Sequence, residues 1–228
     1  MSVSESGLDN PVWASLTGPH RRFAERRGEA ARYLPDVAPF LAIGSAAGWH
    51  DIAAMAGPGA VVVVAGVPAP AEWELIEEIP GMQLVDAGVA AEPFPEAVRL
   101  TKADVPEMLD LVARTEPGPF RERTIELGTY LGVRRDGRLA AMAGERLHPP
   151  GWTEISAVCT DPAYRGQGLA TGLVRALVTG IRERGEQALL HAAASNTGAI
   201  RLYESMGFRL RAKPVFAAVR VPEDLLVS

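Results

Sequence analysis

The sequence predicts an α/β protein, a mixed β-sheet with helices on both faces. Two observations carry that prediction. Short apolar runs alternate with segments whose apolar residues recur every three or four positions. In the C-terminal half, moreover, a strand-like run leads twice through a small-residue turn directly into a helical pattern, which is the connectivity of parallel strands. Composition agrees: 228 residues, 47% hydrophobic and 22% charged, is a globular mixture able to fill one or two cores.

Taken in order, residues 32–43 read as extended, 49–55 as helix, 60–65 as strand, 71–79 as helix and 82–86 as strand. Gly57-Pro58-Gly59 and Pro68-Ala69-Pro70 supply the breaks. Pro93 and Pro95 then punctuate the chain, so a division is expected between a smaller α/β region, 1–96, and a second region, 97–228. In the second, 98–101 reads as strand, and 104–114 and 120–127 as helices. Residues 130–134 and 139–147 form a hairpin across Arg135-Asp136-Gly137, with glycine where positive φ is wanted. Residues 152–160 make the next strand. The helix at 168–184 carries Leu169, Leu173, Leu177 and Ile181 four apart, a stripe for burial. Strands at 187–194 and 215–221 complete the sheet.

Several classes fall away. No apolar run approaches the eighteen or so residues needed to span a bilayer. The polar, acidic start MSVSESGLDN is unlike a signal peptide. The single cysteine, Cys159, gives no internal disulfide and no metal framework. The expectation is a cytoplasmic protein with no membrane, metal or nucleic-acid partner, since no basic cluster is interleaved with aromatics. Charge is uneven: residues 1–96 hold five arginines against thirteen acidic residues, and 97–228 hold eighteen basic against fifteen acidic. The mildly basic half has the sign suited to a polyanionic ligand.

The most informative segment is Val158-Cys-Thr-Asp-Pro-Ala-Tyr-Arg-Gly-Gln-Gly-Leu-Ala170. A strand ends, a turn follows, and Arg165, Gly166, Gln167, Gly168, Leu169 and Ala170 open a long helix. The first N–H groups of a helix lack intrahelical partners and carry partial positive charge, so this start is a ready anion site. The glycines let a phosphate approach the backbone, and Arg165 adds a full charge. A dinucleotide fingerprint is excluded because Thr171 stands where its third glycine is needed, and a P-loop because no lysine is near. A diphosphate-bearing ligand of another kind is expected.

Arg165, Gly168 and Ala170 meet Arg/Gln-x-x-Gly-x-Gly/Ala, the acetyl-CoA signature of the GNAT superfamily of N-acetyltransferases, which this segment resembles. A second motif follows at the separation that family shows: a strand, then Asn196-x-x-Ala199-x-x-x-Tyr203, then Gly207-Phe208. The resemblance covers residues 97–228 and looks closest to a branch with a C-terminal HxxASNxxAxxLYxxxGF pattern. It implies the GNAT acyl-CoA N-acyltransferase fold, acetyl-CoA as co-substrate without a metal, and direct acetyl transfer to a primary amine in a ternary complex. Residues 1–96 carry no such loop. They are read as a degenerate half of the same fold or an added layer, covering the acceptor site or a dimer surface.

The resemblance also implies roles. Cofactor-binding positions are Val158, Cys159 and Thr160 through their backbone, the loop Arg165, Gly166, Gln167, Gly168, Leu169 and Ala170, and Asn196, Ala199 and Tyr203. Tyr203 is the general-acid candidate, a phenol placed to protonate the departing thiolate. Glu154 is the general-base candidate, against a reading in which it simply pairs with an arginine. His191 suits neutral pH better, yet Leu189, Leu190 and Ala192 around it favour a hydrogen-bonded core histidine. The side chain of Cys159 reads as packing. Acceptor specificity would come from 117–126 and 213–218, which carry no recognisable code, so the partner is an amine-bearing small molecule or a peptide, and the enzyme a monomer or homodimer. A non-catalytic acyl-CoA sensor, or an enzyme using another acyl-CoA, is the alternative.

Overall fold

The computed structural model describes residues 4–65 and 67–223. Helix α1 (Pro11–Thr17) starts where Asn10 accepts the Trp13 N–H and Pro11 fills the first turn. Strands β1 (Ala24–Arg27), β2 (Ala30–Tyr33) and β3 (Leu41–Ile43) form an antiparallel sheet of three. Helix α2 (Gly48–Ala56) and strands β4 (Val61–Ala65) and β5 (Glu74–Asp86) follow. Next come β6 (Val98–Arg99), α3 (Val105–Thr115), β7 (Tyr130–Arg135), β8 (Arg138–Glu145) and β9 (Trp152–Thr160). The chain then runs through α4 (Leu169–Glu183), β10 (Gln187–Ala193), α5 (Thr197–Met206), β11 (Phe208–Ala212) and β12 (Val215–Arg220).

Among the described residues the main sheet has nine strands, in the order β4-β12-β5-β10-β9-β8-β7-β6, with β11 also on β5. The long strand β5 organises it. Its second half lies between β10 (Leu84 opposite Leu190) and β11 (Leu84 opposite Leu210). Its first half pairs with β12, Ile79 opposite Phe216, and β12 pairs with β4. The division expected at 96/97 therefore cuts through one sheet: a strand from the first region sits between two from the second.

Side-chain alternation puts one face under α4 and α5. Leu173, Leu177 and Ile181 of the expected stripe have essentially no exposure, each contributing about 2 kcal/mol of burial. The opposite face is covered by α3, through Met108 and Leu111, and by the N-terminal sheet and the turn before it, whose Tyr33 and Phe23 pack on Leu127 and Leu147. A further core under α2 joins Trp49 and Trp73 to Val64 and Val219. No helix of the described residues is long and apolar enough to cross a membrane.

Three local expectations are corrected. Residues 71–79 are not helical: 74–79 begin β5. Pairing with β12 overrides a helix-like spacing, and the register shift between Ala218 and Val219 leaves Ile76 as an extra residue that hides the strand alternation. Residues 120–127 hold only a 3₁₀ turn, Thr124–Leu127. Its Thr124 hydroxyl accepts the Arg121 N–H and donates to the Val37 carbonyl at 2.6 Å, tying the segment down. Residues 32–43 are two strands joined by a turn rather than one extended run.

That turn has a positional consequence. Arg123 donates its N–H to the Asp36 carbonyl and its guanidinium to the Asp36 carboxylate, both at 3.0 Å. The loop before β3 thus clamps the segment 117–126.

Candidate functional site

β9 and β10 run parallel and pair only from Trp152–Gln187 to Ile155–Leu190. Beyond that, Ser156–Thr160 and His191–Ala193 part company. On its other side β9 carries a bulge, where the register with β8 shifts between Gly144–Ser156 and Met142–Cys159 and Ala157 takes φ +52°. A non-glycine residue held there costs about 1 kcal/mol or more, and such outliers gather at functional sites. The bulge turns the strand away from β10, leaving backbone groups of its last residues without a strand partner on the side of the gap.

At the far end of β9 the chain makes the expected anion cradle. Asp161 caps the 3₁₀ turn by accepting the Ala163 N–H, and its other oxygen holds Arg114. Gly166 and Gly168 take φ +78° and +74°, and a Cβ on either would meet nothing within 4 Å. The first bond of α4 runs from Gly172 N–H to the Gly168 carbonyl at 3.0 Å, so the N–H groups before it are orphaned by helix geometry. Arg165, Gly166, Gln167 and Gly168 are exposed, Ala170 is half-buried, and Leu169 is buried in the core. The open backbone cradle at a fifteen-residue helix fits a diphosphate.

Asn196 caps α5 with its side chain, accepting the Ala199 N–H at 3.1 Å, and Gly207 ends it at φ +104°. The cap fixes where Tyr203 falls, two turns later, with its ring against Phe208. Burial, and secondarily the Cys159 thiol, push the phenol up to about 12. Among the described residues its hydroxyl has no hydrogen-bond partner.

Glu154 lies on the opposite face with no exposed surface. Arg146 donates to both its oxygens, at 2.8 and 2.7 Å, and His191 Nδ1 lies 2.7 Å from Oε1. Burial alone would raise its pKa; the Arg146 charge, the Arg146 hydrogen bonds and the His191 contact outweigh that and hold it well below the usual carboxylate range. Gln83 donates its amide to the Leu8 carbonyl and to His191 Nε2 at 3.0 Å. With the Gln83 amide donating to Nε2, the ring N–H is left to Nδ1, which faces Glu154. His191 is the first β10 residue past the last pair with β9, so a partly exposed imidazole stands where the strands open.

The other expected residues sort cleanly. Val158 packs toward α4, and Cys159 points to α3, where burial pushes its thiol up to about 11. Sequence reasoning missed Arg146, just past the end of β8, and Gln83, in the part of β5 that reads as a strand but whose partner His191 lies far along the chain.

Known proteins resemble this chain in sequence and in fold. A family model described as FR47-like protein matches residues 130–217. The N-alpha-acetyltransferase RimI of Mycobacterium tuberculosis is 34% identical over 121 residues, spanning 48% of this chain and 75% of the relative. The chain belongs to the GNAT superfamily of N-acetyltransferases. It is an acetyl-CoA-dependent acyltransferase. The ribosomal-protein-bS18-alanine N-acetyltransferase of Escherichia coli is 32% identical over 115 residues, 48% of this chain and 77% of the relative. A solved GNAT-family structure from Novosphingobium aromaticivorans superposes with TM-score 0.85 at 40% identity, covering 93% of this chain and 97% of that one. At that coverage the likeness between this GNAT chain and that structure extends well beyond the matched C-terminal half.

Proposed function

We propose that the enzyme transfers acetyl directly from acetyl-CoA to a primary amine in a ternary complex in the cytoplasm. The observation that carries this reading is the placement of two proton-handling groups on opposite faces of the β9–β10 opening, His191 on one and Tyr203 on the other.

The diphosphate would rest on the N–H groups of Gly166–Ala170 with Arg165 beside it, and the pantetheine arm along Val158, Cys159 and Thr160. Asn196 and Ala199 then act by shaping the wall that carries Tyr203. His191 Nε2 gives up the Gln83 amide and accepts a proton from the attacking amine. Glu154, ionised against Arg146, holds the ring through Nδ1 and stabilises the imidazolium that forms, so it works as a positioning residue rather than touching substrate. The N–H groups beside the Ala157 bulge supply donors for the oxyanion. As the C–S bond breaks, Tyr203 donates its proton to the thiolate. The products are free CoA thiol and the acetylated amine, and solvent returns His191 and Tyr203 to their starting protonation.

The acceptor is an amine-bearing small molecule or a peptide N-terminus, the latter favoured by the relatives that acetylate ribosomal protein. Residues 1–96 serve as its specificity region, since Asp36 and Val37 fix the segment 117–126. Initial rates with both substrates varied test the order of events. Intersecting double-reciprocal lines are expected; parallel lines would mean an acyl-enzyme and overturn direct transfer.

A further inference from the structure

Strand β11 carries a bulge of its own. Its register on β5 shifts between Leu210, opposite Leu84, and Ala212, opposite Gln83, so Arg211 is the extra residue. Bulges re-aim side chains, and this one brings the Arg211 guanidinium onto Gln83, where Nη1 donates to Oε1 at 2.8 Å. The rest of the guanidinium is held by the N-terminal segment. Its Nε donates to the Glu5 carboxylate at 2.9 Å, and Nη2 donates to the Asp9 carboxylate at 2.8 Å and the Glu5 carbonyl at 3.2 Å.

These contacts decide which way the Gln83 amide faces. Its Oε1 is taken by Arg211, while its Nε2 donates to the Leu8 carbonyl at 2.8 Å and to His191 Nε2 at 3.0 Å. Turning the amide over would set its N–H groups against the guanidinium and its oxygen against the Leu8 carbonyl, donor on donor and acceptor on acceptor. Gln83 is 2% exposed, so solvent relieves neither clash. Leu8 is itself buried against Val85, Trp152 and Leu189, which fixes its carbonyl.

The orientation matters because Glu154 already accepts at the other ring nitrogen, Nδ1, at 2.7 Å. A ring held between two acceptors is favoured as the doubly protonated cation, which has no lone pair for a substrate proton. A ring held between an acceptor and a donor needs one proton only, on Nδ1. Among the described residues, the charged groups around His191 are Glu154 with Arg146 behind it on one side, and on the other Arg211, Glu5 and Asp9 behind the neutral Gln83. The Phe216 ring, 6.4 Å away, adds no charge. We propose that Arg211 is a positioning residue for acetyl transfer: acting through Gln83, it keeps His191 Nε2 free of a proton until the attacking amine displaces the amide. The proposal rests on the reading of His191 as the proton acceptor. It gives the segment 5–9, which carries no cofactor loop, a part in the chemistry.

The test uses the full chain labelled with nitrogen-15 histidine, the His191 signals being assigned by their loss in His191→Gln. Nuclear magnetic resonance reads which ring nitrogen carries the proton, and CoA thiol release with a peptide bearing a free alanine N-terminus gives the pH profile of kcat/KM. In the wild type at pH 8 the proton should sit on Nδ1, with Nε2 bare. Arg211→Met frees the Gln83 amide to turn, so Nε2 should then carry a proton. The acid limb of kcat/KM should move to higher pH by about one unit, a loss of about tenfold near neutral pH that alkaline pH restores. Arg211→Lys, which can still donate to Gln83 Oε1, should keep both the wild-type ring and the wild-type limb. Arg209→Met, which removes the other arginine on Glu5, should change neither.

A wild-type Nε2 that carries a proton at pH 8, or an Arg211→Met ring whose Nε2 stays bare, would overturn the proposal. So would a kcat/KM in Arg211→Met that falls by the same factor at every pH, the mark of a merely structural loss. Failure of the catalytic reading looks different: His191→Gln would then keep wild-type kcat, and Arg211→Met would still move the ring proton while leaving the acid limb in place.

Discussion

The guanidinium of Arg146 chelates both carboxylate oxygens of Glu154, at 2.8 and 2.7 Å, where the carboxylate has no exposed surface. Such a pair costs desolvation on both sides, so its importance shows when one partner is removed and the other is left buried alone. Glu154→Gln keeps the shape and leaves a buried charge unpaired. A loss of about 3 kcal/mol in urea unfolding is expected, with partial recovery in the double variant carrying Arg146→Met. Unchanged stability in Glu154→Gln would mean that water reaches the pair.

The same carboxylate sets an acid limit. Its pKa is depressed in the folded state, so its contribution is complete above the unfolded value, near 4.5, and declines as pH falls below that toward the folded value. The urea midpoint should drop from about pH 5 downward, and Glu154→Gln should flatten that part of the curve.

A second decline should begin at higher pH. His20 is buried against Tyr33 and His148, and burial first, then the His148 charge, lower its pKa from 6.5 to about 3. Between those values the unfolded chain binds a proton that the folded chain refuses, so stability falls as pH drops through 6.5. His20→Gln should be less stable at pH 7.5 yet lose less on going to pH 5. A parallel pH response in the two proteins would show that His20 is not the group responsible.

Tyr203→Phe should lower kcat by about ten- to a thousand-fold with little change in acetyl-CoA affinity. With the phenol pushed up to about 12, wild-type kcat should show no alkaline decline from this group in the range where ordinary tyrosines titrate. Wild-type kcat in Tyr203→Phe, measured where chemistry limits the rate, would return Tyr203 to a packing role.

Gly168 can be separated into strain and charge. Gly168→Ala shares the φ +74° penalty of about 1 kcal/mol but meets open space, so acetyl-CoA should still raise its Tm. Gly168→Asp adds negative charge where the diphosphate is expected and should abolish the rise. Equal shifts in both would place the diphosphate elsewhere.

What the sequence made legible was governed by local rules. The cradle at Arg165–Ala170, the cap at Asn196 and the left-handed stop at Gly207 are each written in a few adjacent residues, and the α4 stripe in their period. What stayed hidden depends on distant partners. Strand 74–79 exists because β12 pairs with it across more than a hundred residues, and its bulge at Ile76 erases the alternation. Glu154 was singled out, but its pairing with Arg146 and His191 needs the register of three strands. Gln83 was invisible for the same reason.

The position of β5 between β10 and β11 has a consequence for how the chain must be made. Leu84 is translated long before Leu190 and Leu210, yet both of its neighbours in the sheet come from the last forty or so residues. The first region cannot finish folding on the ribosome ahead of the second, and its apolar strand edge must wait exposed until the C-terminus emerges. A fragment starting at residue 97 would likewise leave β10 with a bare edge and β11 and β12 with nothing between them and it. Separately expressed halves should therefore be insoluble alone and recoverable when produced together, a property of a single folding unit rather than of two modules joined by a linker.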